Sequence, residues 1–180
     1  MADLIRLEIV TPTGVAYSRD VAEVDIPTLT GEVGVLPGHV PTLFAIRIGI
    51  VTARPLGGSD EPARFAVAHG VLEVTQDKAI LLAERFARKE DIDVVATRAR
   101  FKEVDDEVVS WTGELDDPKR KELIEEEQWL ATALELIGDP PPPAMRELTR
   151  FQAKEVDEVI IEAVGAEGGT PEGLGESRRE

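Results

Sequence analysis

From Leu4 to about Glu84 the apolar residues alternate with polar ones or come in short runs, and Gly, Pro, Asp and Ser separate the runs. That is the period of strands and the punctuation of close turns. Nine stretches fit: residues 4–10, 16–17, 21–26, 31–35, 42–46, 50–54, 64–68, 71–75 and 79–83. In 21–26, Glu23 and Asp25 share one face while Ala22, Val24 and Ile26 share the other, so one face is buried and one is wet. The polar, glycine-rich residues 57–62 read as a hairpin loop. Many short strands with close turns predict a sandwich or barrel and not a parallel α/β sheet.

After Arg88 the period changes. Val94, Phe101, Val104, Val108 and Trp111 recur at helical spacing, which predicts a helix over 91–112, capped by Asp91 and left through Gly113. Asp117-Pro118 announces a second helix with an apolar stripe of Leu123, Leu130, Leu134 and Ile137. The short connection 113–117 folds the two back on each other as an antiparallel hairpin. Gly138-Asp139 and the prolines 140–143 end the second helix. Leu148, Phe151, Val156, Val159, Ile160 and Ala163 predict a third helix over 144–164, and the Gly- and Glu-rich residues from 165 onward predict disorder.

The expected fold class is therefore α+β: an N-terminal antiparallel β-sandwich, a C-terminal antiparallel helical hairpin, then an extra C-terminal helix and a disordered tail. The boundaries fall at 1–88, 89–137 and 138–180.

Composition narrows the functions. The 42% hydrophobic and 31% charged content indicates a modest core under a heavily solvated surface. With 20 Lys and Arg against 36 Asp and Glu, the net charge of −16 repels a phosphate backbone and sets nucleic acid aside. The absence of cysteine excludes disulfides and thiolate zinc sites. Acidic residues occupy the place where an export signal needs apolar ones. The most apolar stretch, 33–51, is broken by Pro37, Gly38, His39, Pro41, Arg47 and Gly49, so no spanning helix is expected.

Catalytic signatures are missing as well. No glycine-rich phosphate loop precedes a Lys-Ser or Lys-Thr pair, and no nucleophile sits in an elbow, so neither catalysis nor a cofactor is expected. His39 and His69 raise the alternative of a metal site in a cupin-like barrel, which would require clustered His and Glu ligands.

One local signal is far more specific. Residues 25–49 read Asp-Ile-Pro-Thr-Leu-Thr-Gly-Glu-Val-Gly-Val-Leu-Pro-Gly-His-Val-Pro-Thr-Leu-Phe-Ala-Ile-Arg-Ile-Gly. This segment closely resembles the F-type ATP synthase epsilon family in its Gly-Glu-x-Gly turn, its Pro-Gly-His-x-Pro element and the following Leu-x-Ala-Ile-x-x-Gly. A second match is Gly70-Val71-Leu72-Glu73-Val74 and the strand after it, 78–84. The resemblance covers about 4–137, over the helices by architecture alone, and 138–180 has no counterpart in the usual pattern.

The resemblance implies a non-catalytic component of the bacterial rotor stalk, coupling c-ring rotation to ATP synthesis and acting on ATP hydrolysis through its C-terminal helices. Its implied partners are the gamma subunit, the c-ring and, through the helices, the catalytic alpha/beta head. Membrane association would arise only through the complex, at the cytoplasmic face of the plasma membrane.

In the family the edge carrying Pro-Gly-His faces gamma and the c-ring, so Glu32, Pro37, Gly38, His39 and Pro41 carry over as interface candidates. There is a local reading too: Pro37 suits the second position of a tight turn and Gly38 the third, with positive φ, whether or not anything docks there. Some relatives bind a regulatory ATP through Ile/Leu-Asp-x-x-Arg-Ala. Ile92 and Asp93 match, but Ala96 and Thr97 replace the Arg and Ala. That removes the natural partner of phosphate charge, and Arg98 and Arg100 fall on a different helical face from Ala96.

Residues 91–137 hold six basic and fourteen acidic residues. Glu125-Glu126-Glu127 would meet an acidic loop of the catalytic head with like charge, so inhibition by this hairpin is expected to be weak or salt-sensitive. The remaining alternative is a free-standing β-sandwich protein-binding module with a helical oligomerisation tail.

Overall fold

A computed structural model describes residues 4–57 and 61–141. Its strands are β1 (Ile5–Thr11), β2 (Gly14–Val21), β3 (Glu23–Thr28), β4 (Gly31–Val35), β5 (Thr42–Ile46), β6 (Gly49–Arg54), β7 (Ala63–Val74) and β8 (Lys78–Ala87). A 3-10 turn at Lys89–Asp91 leads to α1 (Val94–Val109) and α2 (Pro118–Leu136). The expected helix over 144–164 and the tail behind it lie outside the described residues.

The strands form a β-sandwich in the order β2-β1-β8-β7-β5-β3-β4, with β6 pairing both β3 and β7. All pairs are antiparallel except β1 with β8, which run parallel. Alternation puts Ile5, Leu7 and Ile9 of β1, Val24 and Ile26 of β3, Leu72 and Val74 of β7 and Leu81 of β8 into one core. Each such side chain contributes about 1.5–3 kcal/mol by leaving water. The stretch 21–26 is not one strand, since Val21 ends β2 and Ala22 lies at a bend, but within β3 Glu23 and Asp25 stay on the wetter face and Val24 and Ile26 on the buried one, as expected.

The stretches 64–68 and 71–75, read from sequence as separate strands, are one bent strand, β7. At its bend His69 has φ +46° and Gly70 φ +143°. Ladder pairing survives on both sides of the bend, with Ile46 opposite Gly70 and Gly49 opposite Val67. Glycine punctuation therefore marks a corner here and not a loop, and β5 and β6 turn it together through Arg47 and Ile48. Gly49 is needed at this corner for a second reason: a Cβ there would fall 2.7 Å from Pro27 Cβ.

The helices are shorter than their periodicity suggests. Asp93, not Asp91, caps α1, accepting from the Val95 and Ala96 amides at 3.0 and 3.1 Å. Asp91 instead accepts from the Arg88 amide and closes the 3-10 turn. The helix ends at Val109, capped by Ser110 ahead of Gly113, and Trp111 packs on the hairpin core from beyond the helix end. Asp117 and Pro118 open α2 as predicted. At its other end Gly138 takes φ +83°, and the Gly138 and Asp139 amides donate to Glu135 and Leu134, a Schellman closure.

Val104, Val108, Leu123 and Ile124 form the core between the helices. Arg100 clamps it with two parallel bonds to Glu126, and Arg98 reaches Asp139. Against the sandwich, α2 packs on β6 and β7. There Trp129 lies under the Arg85 guanidinium at 4.4 Å, and Glu125 comes within 3.7 Å of the bend residue His69. Among the described residues no helix is long and apolar enough to cross a membrane.

Candidate functional site

The turn after β4 has the geometry its sequence calls for. The His39 amide donates to the Leu36 carbonyl at 3.1 Å, Pro37 occupies the second position and Gly38 takes φ +79° at the third. This is a type II turn, in which the third residue needs positive φ. The Gly38 amide donates to Gln76 O at 2.8 Å, tying the turn to the β7–β8 connection. His39 is fixed by Nδ1 on the Val40 carbonyl at 2.7 Å and by an edge contact with Phe44. Pro41 is exposed beside it and leads into β5.

Glu32 does not join this group. It pairs with Pro27 at the other end of β4, so the rise of a strand puts it about 13 Å from Leu36, where the turn begins. There its negative charge adds to that of Glu23 and Asp25 around Arg54, whose guanidinium Asp25 binds directly. Glu32 sits on β4 with β3 between it and β5, whereas His39 lies in the turn just before β5.

On the other side of β5 from Glu32, across β5, β7 and β8, lies a surface that sequence reasoning did not name. Leu43 is 70% exposed on β5, Val71 45% on β7 and Leu82 52% on β8. The ladders place them on one outward face: Ala45 is opposite Val71, and Val71 is opposite Leu82. Leu36 and Val40, 51% and 73% exposed, bracket the His39 turn at the edge of this face. A sequence signal existed. Leu-Phe-Ala-Ile in β5 is apolar at consecutive positions, so a strand made of it leaves apolar side chains outside whichever face is buried.

The nucleotide candidates are placed differently. Asp93 spends its carboxylate on the α1 cap, and Ile92 lies just before it in the link from the 3-10 turn. Ala96 offers no charge, and Arg98 and Arg100 are already bound to Asp139 and Glu126. The two histidines also part company, His39 on the turn and His69 against α2.

Comparison with known proteins adds to this geometry. The family described as ATP synthase, Delta/Epsilon chain, beta-sandwich domain matches residues 4–89. The chain is 41% identical over 95 residues to the ATP synthase epsilon chain of Anoxybacillus flavithermus, covering 53% of itself and 69% of that protein. With the epsilon chain of a Hydrogenobaculum species it shares 33% over 125 residues, covering 69% of itself and 84% of the relative. A chain in the cryo-EM structure of the Euglena gracilis mitochondrial ATP synthase, OSCP/F1/c-ring, has the same fold at TM-score 0.61 and 21% identity, over 73% of this chain and 79% of that one. With relatives of 33–41% identity matched over more than two thirds of their length, and the family's sandwich domain matched over 4–89, the chain belongs to the ATP synthase epsilon chain family.

Proposed function

We propose that this epsilon subunit is a non-catalytic part of the central rotor, docking through the His39 face of its sandwich onto the gamma subunit and the c-ring, at the cytoplasmic side of a bacterial plasma membrane. Pro37, Gly38, His39 and Pro41 border that face, Glu32 would extend the contact from β4 on the far side of β3, and torque would pass through packing contacts and not through chemistry.

One observation carries the reading. Leu43, Val71 and Leu82 are exposed on one face, with Glu73 opposite Leu43, and Leu36 and Val40 are exposed on either side of the fixed turn that precedes β5. Apolar area of this kind on a chain of net charge −16 marks a protein contact surface. Apolar residues with Glu73 and His39 beside them are the anatomy of an interface.

Co-expression with a tagged gamma subunit tests it. The wild-type chain is expected to co-purify, and the double variant L43D/V71D to be lost from the complex while its thermal midpoint stays within about 2 °C of wild type. If the folded variant co-purifies as well as wild type, the docking face lies elsewhere.

A further inference from the structure

The apolar core of the sandwich and the apolar core of the hairpin are separate clusters. What joins the two is the packing of α2 on β6 and β7. Phe65 and Val67 belong to the sandwich core, so alternation turns Ala66 and Ala68 of β7 to the opposite face. Both are fully buried there, beneath α2. Two alanines offer little apolar area, so the polar contacts around them weigh heavily in the docking.

Two such contacts are made at the bend of β7. Arg85, opposite Ala68 in the β7–β8 ladder, lies over the Trp129 ring. His69 makes the second. Strict alternation after Ala68 would turn its side chain back to the core. Instead its φ is +46°, uncommon for a residue with a Cβ, and Nε2 comes within 3.7 Å of Glu125 Oε2 on α2. The bend therefore aims a titratable side chain at the docked helix.

The charges around that imidazole are Glu122, Glu125 and Glu126 of α2, Arg85 of β8 and Arg47 of the β5–β6 corner. Glu126 is shared between Arg100 and Arg85. Among the described residues Glu125 has no ion pair besides the one with His69. Arginine keeps its charge throughout, whereas an imidazole gains and loses its proton between about pH 5 and 8. Protonated, it attracts Glu125 across the junction; neutral, it does not.

We propose that His69 and Glu125 form a proton-operated latch between sandwich and hairpin, gripping α2 when the imidazole is charged and loosening it when the imidazole is neutral. The latch is separate from the His39 face and operates whatever that face binds.

Thiol labelling of the full chain tests this. The chain has no cysteine, so a single introduced thiol reports alone. Ala68→Cys places it beneath α2, where a thiol reagent reaches it only when the helix lifts. Dividing its labelling rate by that of Ser18→Cys, at an exposed position, cancels the ionisation of the thiol. The ratio is expected to rise about threefold between about pH 5.5 and about pH 8. Glu125→Gln leaves the bend intact and should hold the ratio at its alkaline level at both ends of that range, and His69→Gln should do the same. Should Ala68→Cys fail to fold, Ala66→Cys under the same helix gives the same readout. A ratio that does not change with pH when His69 and Glu125 are both present overturns the proposal, as does a pH dependence that survives Glu125→Gln.

Discussion

Gly70 lies against the backbone of Leu82: a Cβ on Gly70 would fall 1.9 Å from the Leu82 carbonyl oxygen. The contact sits at the bend of β7, where Gly70 also has φ +143°. Neither the dihedral nor the space tolerates a side chain. Gly70→Ala is expected to destabilise the sandwich by at least about 3 kcal/mol, read as a lower midpoint in urea. A midpoint within error of wild type would show that the corner is soft.

That corner also shows where sequence reading stops. Alternation places individual strands well because each strand's facing is a local property, as Val24 and Ile26 against Glu23 and Asp25 illustrate. Whether a glycine ends a strand or bends it depends on what approaches from the neighbouring strand, and nothing near Gly70 in sequence reveals Leu82. The parallel β1–β8 pair is similarly non-local. Asp91 and Asp93 differ for a subtler reason: both are good caps, and the choice rests on a 3-10 turn whose hydrogen bonds carry no distinctive sequence mark. The type II turn at Pro37-Gly38 was legible because both of its demands, fixed φ and positive φ, are met by adjacent residues. The apolar face beside it was not, since only pairing brings Leu43, Val71 and Leu82 together.

The hairpin clamp is expected to depend on pH. The Arg100 guanidinium, through its hydrogen bonds, holds the Glu126 carboxyl below its ordinary 4.5, and Arg98 does the same to Asp139 below 3.8. A carboxyl depressed by folding stabilises the native state above its ordinary value, and that stabilisation is lost as pH falls through the folded-state value. Protection of α1 and α2 amides should therefore be level at neutral pH and decline below about pH 4.5. Glu126→Gln should lower the neutral plateau and flatten the acid decline. Both pairs are solvent-exposed, so the effect should shrink in salt. An unchanged pH profile in Glu126→Gln would show that the clamp contributes nothing.

Asp93 separates a cap from a ligand. Asp93→Ala is expected to cost α1 about 1 kcal/mol, whereas Asp93→Ser keeps an oxygen for the Val95 and Ala96 amides and should lose only a few tenths. Thermal unfolding followed by circular dichroism at 222 nm distinguishes the two. If Ser fails as badly as Ala, the negative charge at 93 has a role beyond capping.

Arg85 links sandwich to hairpin through the face of Trp129. Burial lowers the guanidinium's affinity for its proton while Glu126 supports it, so the contact is held in a partly dry junction. Arg85→Ala is expected to weaken docking of α2 by about 1 kcal/mol. In a Trp111→Phe background the Trp129 emission should shift to the red as the ring meets water. Emission identical to that of the parent would mean that the hairpin is held down without the Arg85–Trp129 contact, through the remaining packing of α2 on β6 and β7 and the approach of Glu125 to His69.

His39 and Gly38 distinguish docking from mere turn geometry. Gly38 faces open space but holds φ +79°, so Gly38→Ala should cost about 1 kcal/mol through backbone strain and let His39 drift. His39→Ala leaves the hydrogen bond from the residue-39 amide to the Leu36 carbonyl and the Pro37 dihedral intact, and should change the thermal midpoint by less than about 2 °C. If the imidazole meets a partner, His39→Ala still weakens association with gamma or the c-ring in a reconstituted rotor, despite its undisturbed fold. If only the turn matters, Gly38→Ala impairs assembly and His39→Ala does not, and the docking contacts then belong to Leu36, Val40 and Leu43.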